Sequence, residues 1–258
     1  MRLLLAQAGE MARRSVLQTL RQPAMVIPPI AFPLILMAVN VGGLEAATLL
    51  PGFPTDSYLN FAIAFPFIQG SLFASLNAGS ALARDVETGF LRRLALTPMQ
   101  RTALLLGNLA GVMAVALLSS AIYLAAGFAG GLEVEAGAGG VAVMVVLALL
   151  IALAFAALGA LIGLRSGSPE AVQGAFPLFF VFVFLSSSSL PRGFIEQDWF
   201  RTIATWNPVS YLFEGLRAPV LFGWDGEALG LAFAIAAGLA VLFTAGASMA
   251  LRTQLVRT

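Results

Sequence analysis

The sequence predicts an all-α integral membrane protein: six transmembrane helices, an N-terminal interfacial amphipathic helix, and an outer re-entrant hairpin between spans five and six. Three observations carry this reading. Of 258 residues, 59% are apolar and 10% charged, against roughly a quarter charged in an ordinary soluble domain. Six runs, 22–44, 57–83, 102–132, 136–164, 171–191 and 228–251, hold no charged residue, and each reaches the roughly 20 residues that cross about 30 Å of hydrocarbon. The arginines gather on one side of those runs.

The elements follow in order as one transmembrane domain over 1–258. Residues 1–22 form an amphipathic helix, with Leu5, Ala8, Ala12, Val16 and Leu20 on one face and Gln7, Glu10, Arg14, Gln18 and Arg21 on the other; that pattern suits a helix lying in the membrane interface. The spans fall at about 24–44, 58–82, 102–128, 141–163, 171–190 and 228–250. Proline removes a backbone donor and clashes with the preceding turn, so Pro28, Pro29 and Pro33 kink the first span, Pro66 the second and Pro177 the fifth. In lipid the released carbonyls need donors from neighbouring helices or a wet cavity. Gly107 with Gly111, Gly159 with Gly163, and Ser71, Ser75 and Gly79 recur at helical spacing and permit close helix approach.

With the N-terminus inside, Arg2, Arg13, Arg14, Arg21, Arg84, Arg92, Arg93, Arg101, Arg165, Arg252 and Arg257 are cytoplasmic, and only Arg192, Arg201 and Arg217 lie outside. Eleven against three of the 14 arginines is a strong positive-inside bias, which places both termini in the cytoplasm.

Composition excludes much chemistry. There is no Cys, no His and no Lys, so thiol catalysis, Cys/His metal sites, Ser-His-Asp triads and a Lys-bearing phosphate loop are all impossible. A net charge of +1 implies no nucleic-acid partner. The spans carry neutral polar residues instead: Asn40, Gln69, Asn77, Asn108, Gln173 and Ser186 to Ser189. Of these, Gln69, Asn77 and Gln173 are candidates for lining a pathway, although amides also serve helix packing.

Two loops carry the most information. From Arg84 to Pro98 the inner loop mixes both charge signs with an apolar stripe of Val86, Phe90 and Leu94, which predicts a short amphipathic helix ending near Thr97 and suited to a protein surface. The outer segment 191–227 holds Trp199, Trp206, Trp224 and Tyr211. Its charge-free part is too short to span, so it lies on or dips into the outer leaflet. There Glu214 and Arg217, three residues apart, are placed to pair on a helix surface.

The run R-D-x-E-x-G-x-L-x-x-L-x-x-T-P from Arg84 to Pro98 and the run Asn207-Pro208-x-x-Tyr211-x-x-Glu214-x-Leu216-Arg217 resemble those of the membrane subunits of ABC-2 type exporters, particularly the daunorubicin-resistance and nodulation-export branch. The resemblance covers the whole chain; Gly107-Asn108 stands where such proteins often carry Gly-Lys. It implies a permease subunit in the cell membrane that exports a hydrophobic or amphipathic cargo such as a drug, lipid or glycan carrier. It implies a second membrane subunit, identical or related, and two cytoplasmic ATPase subunits. This chain would bind no cofactor, ATP and Mg belonging to the ATPase. By the same resemblance Arg84, Asp85, Glu87, Phe90, Arg92, Arg93, Thr97 and Pro98 couple to the ATPase, and Asn207, Pro208, Tyr211, Glu214 and Arg217 cap the outer end of the pathway. The alternatives are a secondary transporter or channel, which needs a path without buried charge, and a non-transporting membrane scaffold.

Overall fold

A computed structural model describes residues 9, 10, 13, 16, 17, 21–95 and 101–256. Its helices are α1 (Pro23–Leu44), α2 (Tyr58–Ala62), α3 (Ala64–Glu87), α4 (Phe90–Ala95), α5 (Arg101–Ala129), α6 (Gly137–Ser166), α7 (Pro169–Phe184), α8 (Asp198–Trp206), α9 (Pro208–Leu221) and α10 (Gly226–Val256), with short 3-10 turns at Glu45–Leu49 and Arg192–Phe194. Among the described residues there is no strand. Most of the interfacial helix expected over 1–22 lies outside the described residues, as do Thr97 and Pro98.

Among the described residues five helical stretches are long and apolar enough to cross a membrane: Pro23–Leu49, Tyr58–Glu87, Leu105–Ala129, Gly137–Ser166 and Gly226–Gln254. The fifth charge-free run, 171–191, is divided instead. Its helix, α7, has 16 residues, about 24 Å at about 1.5 Å per residue, and stops before Ser186 to Ser189. Hydropathy counts serine as mildly polar and does not register that a helix has ended.

Helix α3 is the hub, packing against α1, α5, α6, α7 and α9. It belongs to the most enclosed span, 72% buried, against 17% for the first span and 22% for the last. The contact with α6 is made backbone to backbone: a Cβ on Gly159 would stand 1.9 Å from the Ser75 carbonyl oxygen, and one on Gly163 2.1 Å from that of Gly79. Glycine is required there, because any side chain drives the two axes apart.

Carbonyls freed by prolines of the first span find side-chain donors, as hydrocarbon demands. Pro29 has no N–H for the Met25 carbonyl, which instead accepts the Asn77 Nδ2 amide at 3.2 Å. Pro33 likewise releases the Pro29 carbonyl, and that oxygen accepts the buried Tyr123 hydroxyl. Pro66 deprives the Ala62 carbonyl, and the second span breaks at Ile63 between α2 and α3. At the far end of α6, where terminal carbonyls have no helical donor, Gln254 of α10 donates Nε2 to Leu164 O at 2.8 Å.

Replacing Gly159 or Gly163 by Leu is expected to lower the thermal unfolding midpoint of the purified protein in detergent, since overpacking costs about 1–3 kcal/mol or more. Gly230→Ala, where the added methyl meets nothing within 4 Å, should leave it unchanged. Equal midpoints for all three variants would show that the α3–α6 contact is loose.

Candidate functional site

At the tryptophan-bearing end, α9 repairs the break left by α7. Asn207 donates Nδ2 to the carbonyls of Phe182 at 2.6 Å and Leu185 at 2.9 Å. Its Oδ1 accepts the Val209 N–H at 2.9 Å, which caps α9, and Pro208 sits in the first turn where a missing N–H costs nothing. Ser210 Oγ accepts the Ser187 N–H at 3.1 Å and donates to Ala204 O at 2.6 Å. Tyr211 donates its hydroxyl to Thr205 O at 3.0 Å, and Tyr58 donates to Ser189 O at 2.7 Å.

Arg217 is the centre of this network and is only 3% exposed. Its Nε donates to Phe61 O at 2.8 Å, Nη1 to Ser187 O at 2.6 Å, and Nη2 to Ser188 O. The guanidinium also lies 3.5 Å from the Phe61 ring centroid, a cation–π geometry. Burial lowers its pKa to about 9, so it stays protonated at neutral pH. The Phe61 carbonyl lies in the last turn of α2, beside the break at Ile63.

The pairing of Glu214 with Arg217 expected from their spacing does not form. Glu214 takes Arg192 instead, with Nε on Oε1 at 2.8 Å and Nη2 on Oε2, while Arg192 lies 4.5 Å from the Tyr211 ring centroid. Local spacing was outweighed by three backbone carbonyls, of Phe61, Ser187 and Ser188, which hold the Arg217 fork inward. Arg192, Ser187, Ser188 and Phe61 are functional neighbours that motif spacing missed; the signal available was a serine run directly after an apolar helix, with an arginine soon after it.

At the opposite end the inner loop is not one amphipathic helix. Helix α3 continues through Glu87, Thr88 and Gly89 close its last turn onto Arg84 O and Val86 O, and α4 begins at Phe90. Gly89 has φ 68°, the left-handed conformation that ends helices and that periodicity does not register. Arg84, Asp85 and Glu87 thus belong to the last turns of α3, while Phe90, Arg92 and Arg93 belong to α4. Arg84, Glu87 and Arg93 are exposed. Val86 packs against the turn between α6 and α7, where a Cβ on Gly167 would meet it at 3.0 Å.

The three candidate pathway amides are not brought together. Asn77 faces a cavity of about 240 Å³ between α1, α3, α5 and α6. Gln69 is fully buried, and neither of its amide atoms has a hydrogen-bond partner. Gln173 sits on the exposed face of α7.

Residues 6–221 match the profile of the ABC-2 type transporter family. The chain is similar to a daunorubicin resistance ABC transporter permease protein, DrrB1, of Streptomyces coeruleorubidus, with 26% identity over 86% of this chain and 77% of the relative. It is also similar to a protein of Porphyra purpurea named as a transport permease, ycf38, with 29% identity over 80% of this chain and 71% of the relative.

Substituting Arg217 by Leu takes the guanidinium donors from three backbone carbonyls, at about 1–3 kcal/mol for each left unsatisfied, and is expected to abolish a monodisperse folded peak in size-exclusion chromatography. Glu214→Gln should cost far less, because the side chains of its ion pair with Arg192 keep 25% and 30% of their exposure and water screens such a pair. A folded Arg217→Leu protein with an unchanged unfolding midpoint would contradict the assignment.

Proposed function

This chain belongs to the ABC-2 type transporter family, and on that premise we propose that it is the permease half of an exporter, lying in the cell membrane with both termini in the cytoplasm. It is a membrane-embedded ABC transporter subunit rather than an enzyme, and the family implies ABC ATPase partners. Two ATPase subunits seat under two copies of this chain, or under this chain and a related one. ATP and Mg belong to those partners; this chain has no Lys with which to build a phosphate loop. The cargo is hydrophobic or amphipathic, a drug, lipid or glycolipid-like molecule, in keeping with the daunorubicin resistance for which DrrB1 is named.

One observation carries the mechanism: α3 runs unbroken for 24 residues, about 36 Å, from the Pro66 kink to the Thr88–Gly89 turn. Its inner end bears Arg84, Asp85 and Glu87. Its outer end adjoins α2, whose Phe61 carbonyl is held by Arg217. A closing motor that displaces the Gly89 turn and α4 moves α3 as a rod, and with it α6, which is locked to it at Gly159 and Gly163. The hairpin of α8 and α9 is a re-entrant element that follows the rod through Arg217. Work is done because ATP-bound partners favour one of the two membrane conformations.

A proton- or ion-coupled reading gains nothing from the buried Arg217. Its Nε and both Nη atoms are already engaged with backbone carbonyls, so it serves structure and not a proton relay.

Truncating one partner of a desolvated charge pair typically costs about 2–5 kcal/mol. The double variant Glu87→Gln with Arg92→Gln, reconstituted with its ATPase partners, is therefore expected to hydrolyse ATP while export falls by at least about tenfold. Unchanged export in that preparation would remove the coupling role.

A further inference from the structure

The cavity between α1, α3, α5 and α6 carries polar groups at every level of its depth. Gln22, Arg84 and Asn108 stand at one end, Asn77 midway, and Ser119 and Tyr123 at the other. Arg84 is exposed, so its end is open to solvent. Tyr123, 1% exposed and bonded to Pro29 O, closes the far end and keeps that carbonyl dry behind it. On α3 the lining runs from Arg84 to Ser71, about 20 Å at about 1.5 Å per residue. That distance leads from the interface to near the middle of a hydrocarbon core about 30 Å thick.

Two atoms of the wall select the occupant. Asn108 Oδ1 and Ser119 Oγ are buried without a hydrogen-bond partner; the amide oxygen needs a donor, and the hydroxyl uses both a donor and an acceptor. An acyl chain supplies neither and leaves both atoms orphaned at low dielectric. Water supplies both. A polar space of about 240 Å³ is roomy enough for several waters, each of which needs two to four polar partners, and the ladder from Arg84 to Ser119 offers them along its length.

We propose that this cavity is a water-filled crevice, open at the Arg84 end and closed at mid-depth by Tyr123. The aqueous phase then enters each chain itself and not only a route between two copies, and the inner half of α1 has water on one side and lipid on the other. That the open end faces the cytoplasm rests on the orientation proposed above; the filling by water does not.

Because the sequence contains no cysteine, a single introduced thiol reads the crevice directly. The thiolate is the reactive form and apolar surroundings suppress it, while the charged, membrane-impermeant reagent 2-sulfonatoethyl methanethiosulfonate reaches a thiol only through water. Ser119→Cys lies in the lining; Leu117→Cys, on the same helix, replaces a side chain 51% exposed on the outside of the bundle and is the lipid-facing reference. In the assembled complex in inside-out membrane vesicles, the reagent is expected to modify Ser119→Cys at least about tenfold faster than Leu117→Cys. Ala116→Phe, which narrows the crevice on the way to Ser119, should slow that reaction at least about fivefold. Ser120→Cys, also in the lining, replaces Ser119→Cys if that variant does not fold. A rate at the lining position no higher than at Leu117→Cys would overturn the proposal, and modification there by membrane-permeant N-ethylmaleimide alone would identify a lipid tail as the occupant. Fast modification in right-side-out vesicles only would uphold the crevice and reverse the orientation. Labelling requires neither ATP nor cargo, so the result stands apart from ATP-driven export.

Discussion

A backbone carbonyl released inside hydrocarbon has no water to turn to, and this chain releases several. Each proline in a span removes one donor, and each helix that ends at membrane depth strands the carbonyls of its last turn. The polar residues of the spans are where those debts are met. Asn77 and Tyr123 take the carbonyls that Pro29 and Pro33 free in α1; Arg217 takes that of Phe61, beside the break at Ile63; Asn207 closes the end of α7; Gln254 closes the end of α6. Residues that look like pathway chemistry in a list of polar positions are, in most of these cases, backbone chemistry.

This pattern explains how irregular helices behave as rigid bodies. A proline kink with an empty carbonyl is a hinge, whereas one clipped by a neighbouring side chain is a fixed bend. The break in the second span is bridged by Arg217, which also ties the serine segment and α9 to it. Between the ends, the glycine contacts of α3 with α6 leave no room for sliding apart. The first span, the least enclosed of the five, is tied to α3 and α5 by two carbonyl bonds, and the cavity it covers is lined by Asn108 and Ser119, whose side-chain oxygens are buried without a hydrogen-bond partner.

Much of the fold was legible in the sequence because its signals are additive over many residues. Charge-free runs of twenty or more residues mark six candidate spans, five of which are long apolar helices among the described residues, and the small residues Ser75, Gly79, Gly159 and Gly163 mark the closest contact. The prolines announced the need for donors. Which donors answered was not legible, since Asn77 meets Met25 across 52 positions and Arg217 meets Phe61 across 156; such partners follow from packing and leave no local trace. The Glu214–Arg217 pairing failed for the same reason: spacing on one helix says which residues are neighbours but not which of them is turned toward unpaired carbonyls elsewhere. The short reach of α7 and the Gly89 turn were missed because hydropathy averages over polar turns that carry no charge.

The most direct test of this account is a double-mutant cycle on one such bond. If the Tyr123 hydroxyl exists to satisfy the carbonyl that Pro33 strands, then Pro33→Ala restores the N–H and makes the hydroxyl dispensable. Thermal or denaturant unfolding in detergent should show Tyr123→Phe destabilising the parent protein but nearly neutral in the Pro33→Ala background, a coupling of about 0.5–3 kcal/mol. An equal cost of Tyr123→Phe in both backgrounds would mean that the released carbonyl does not govern this contact.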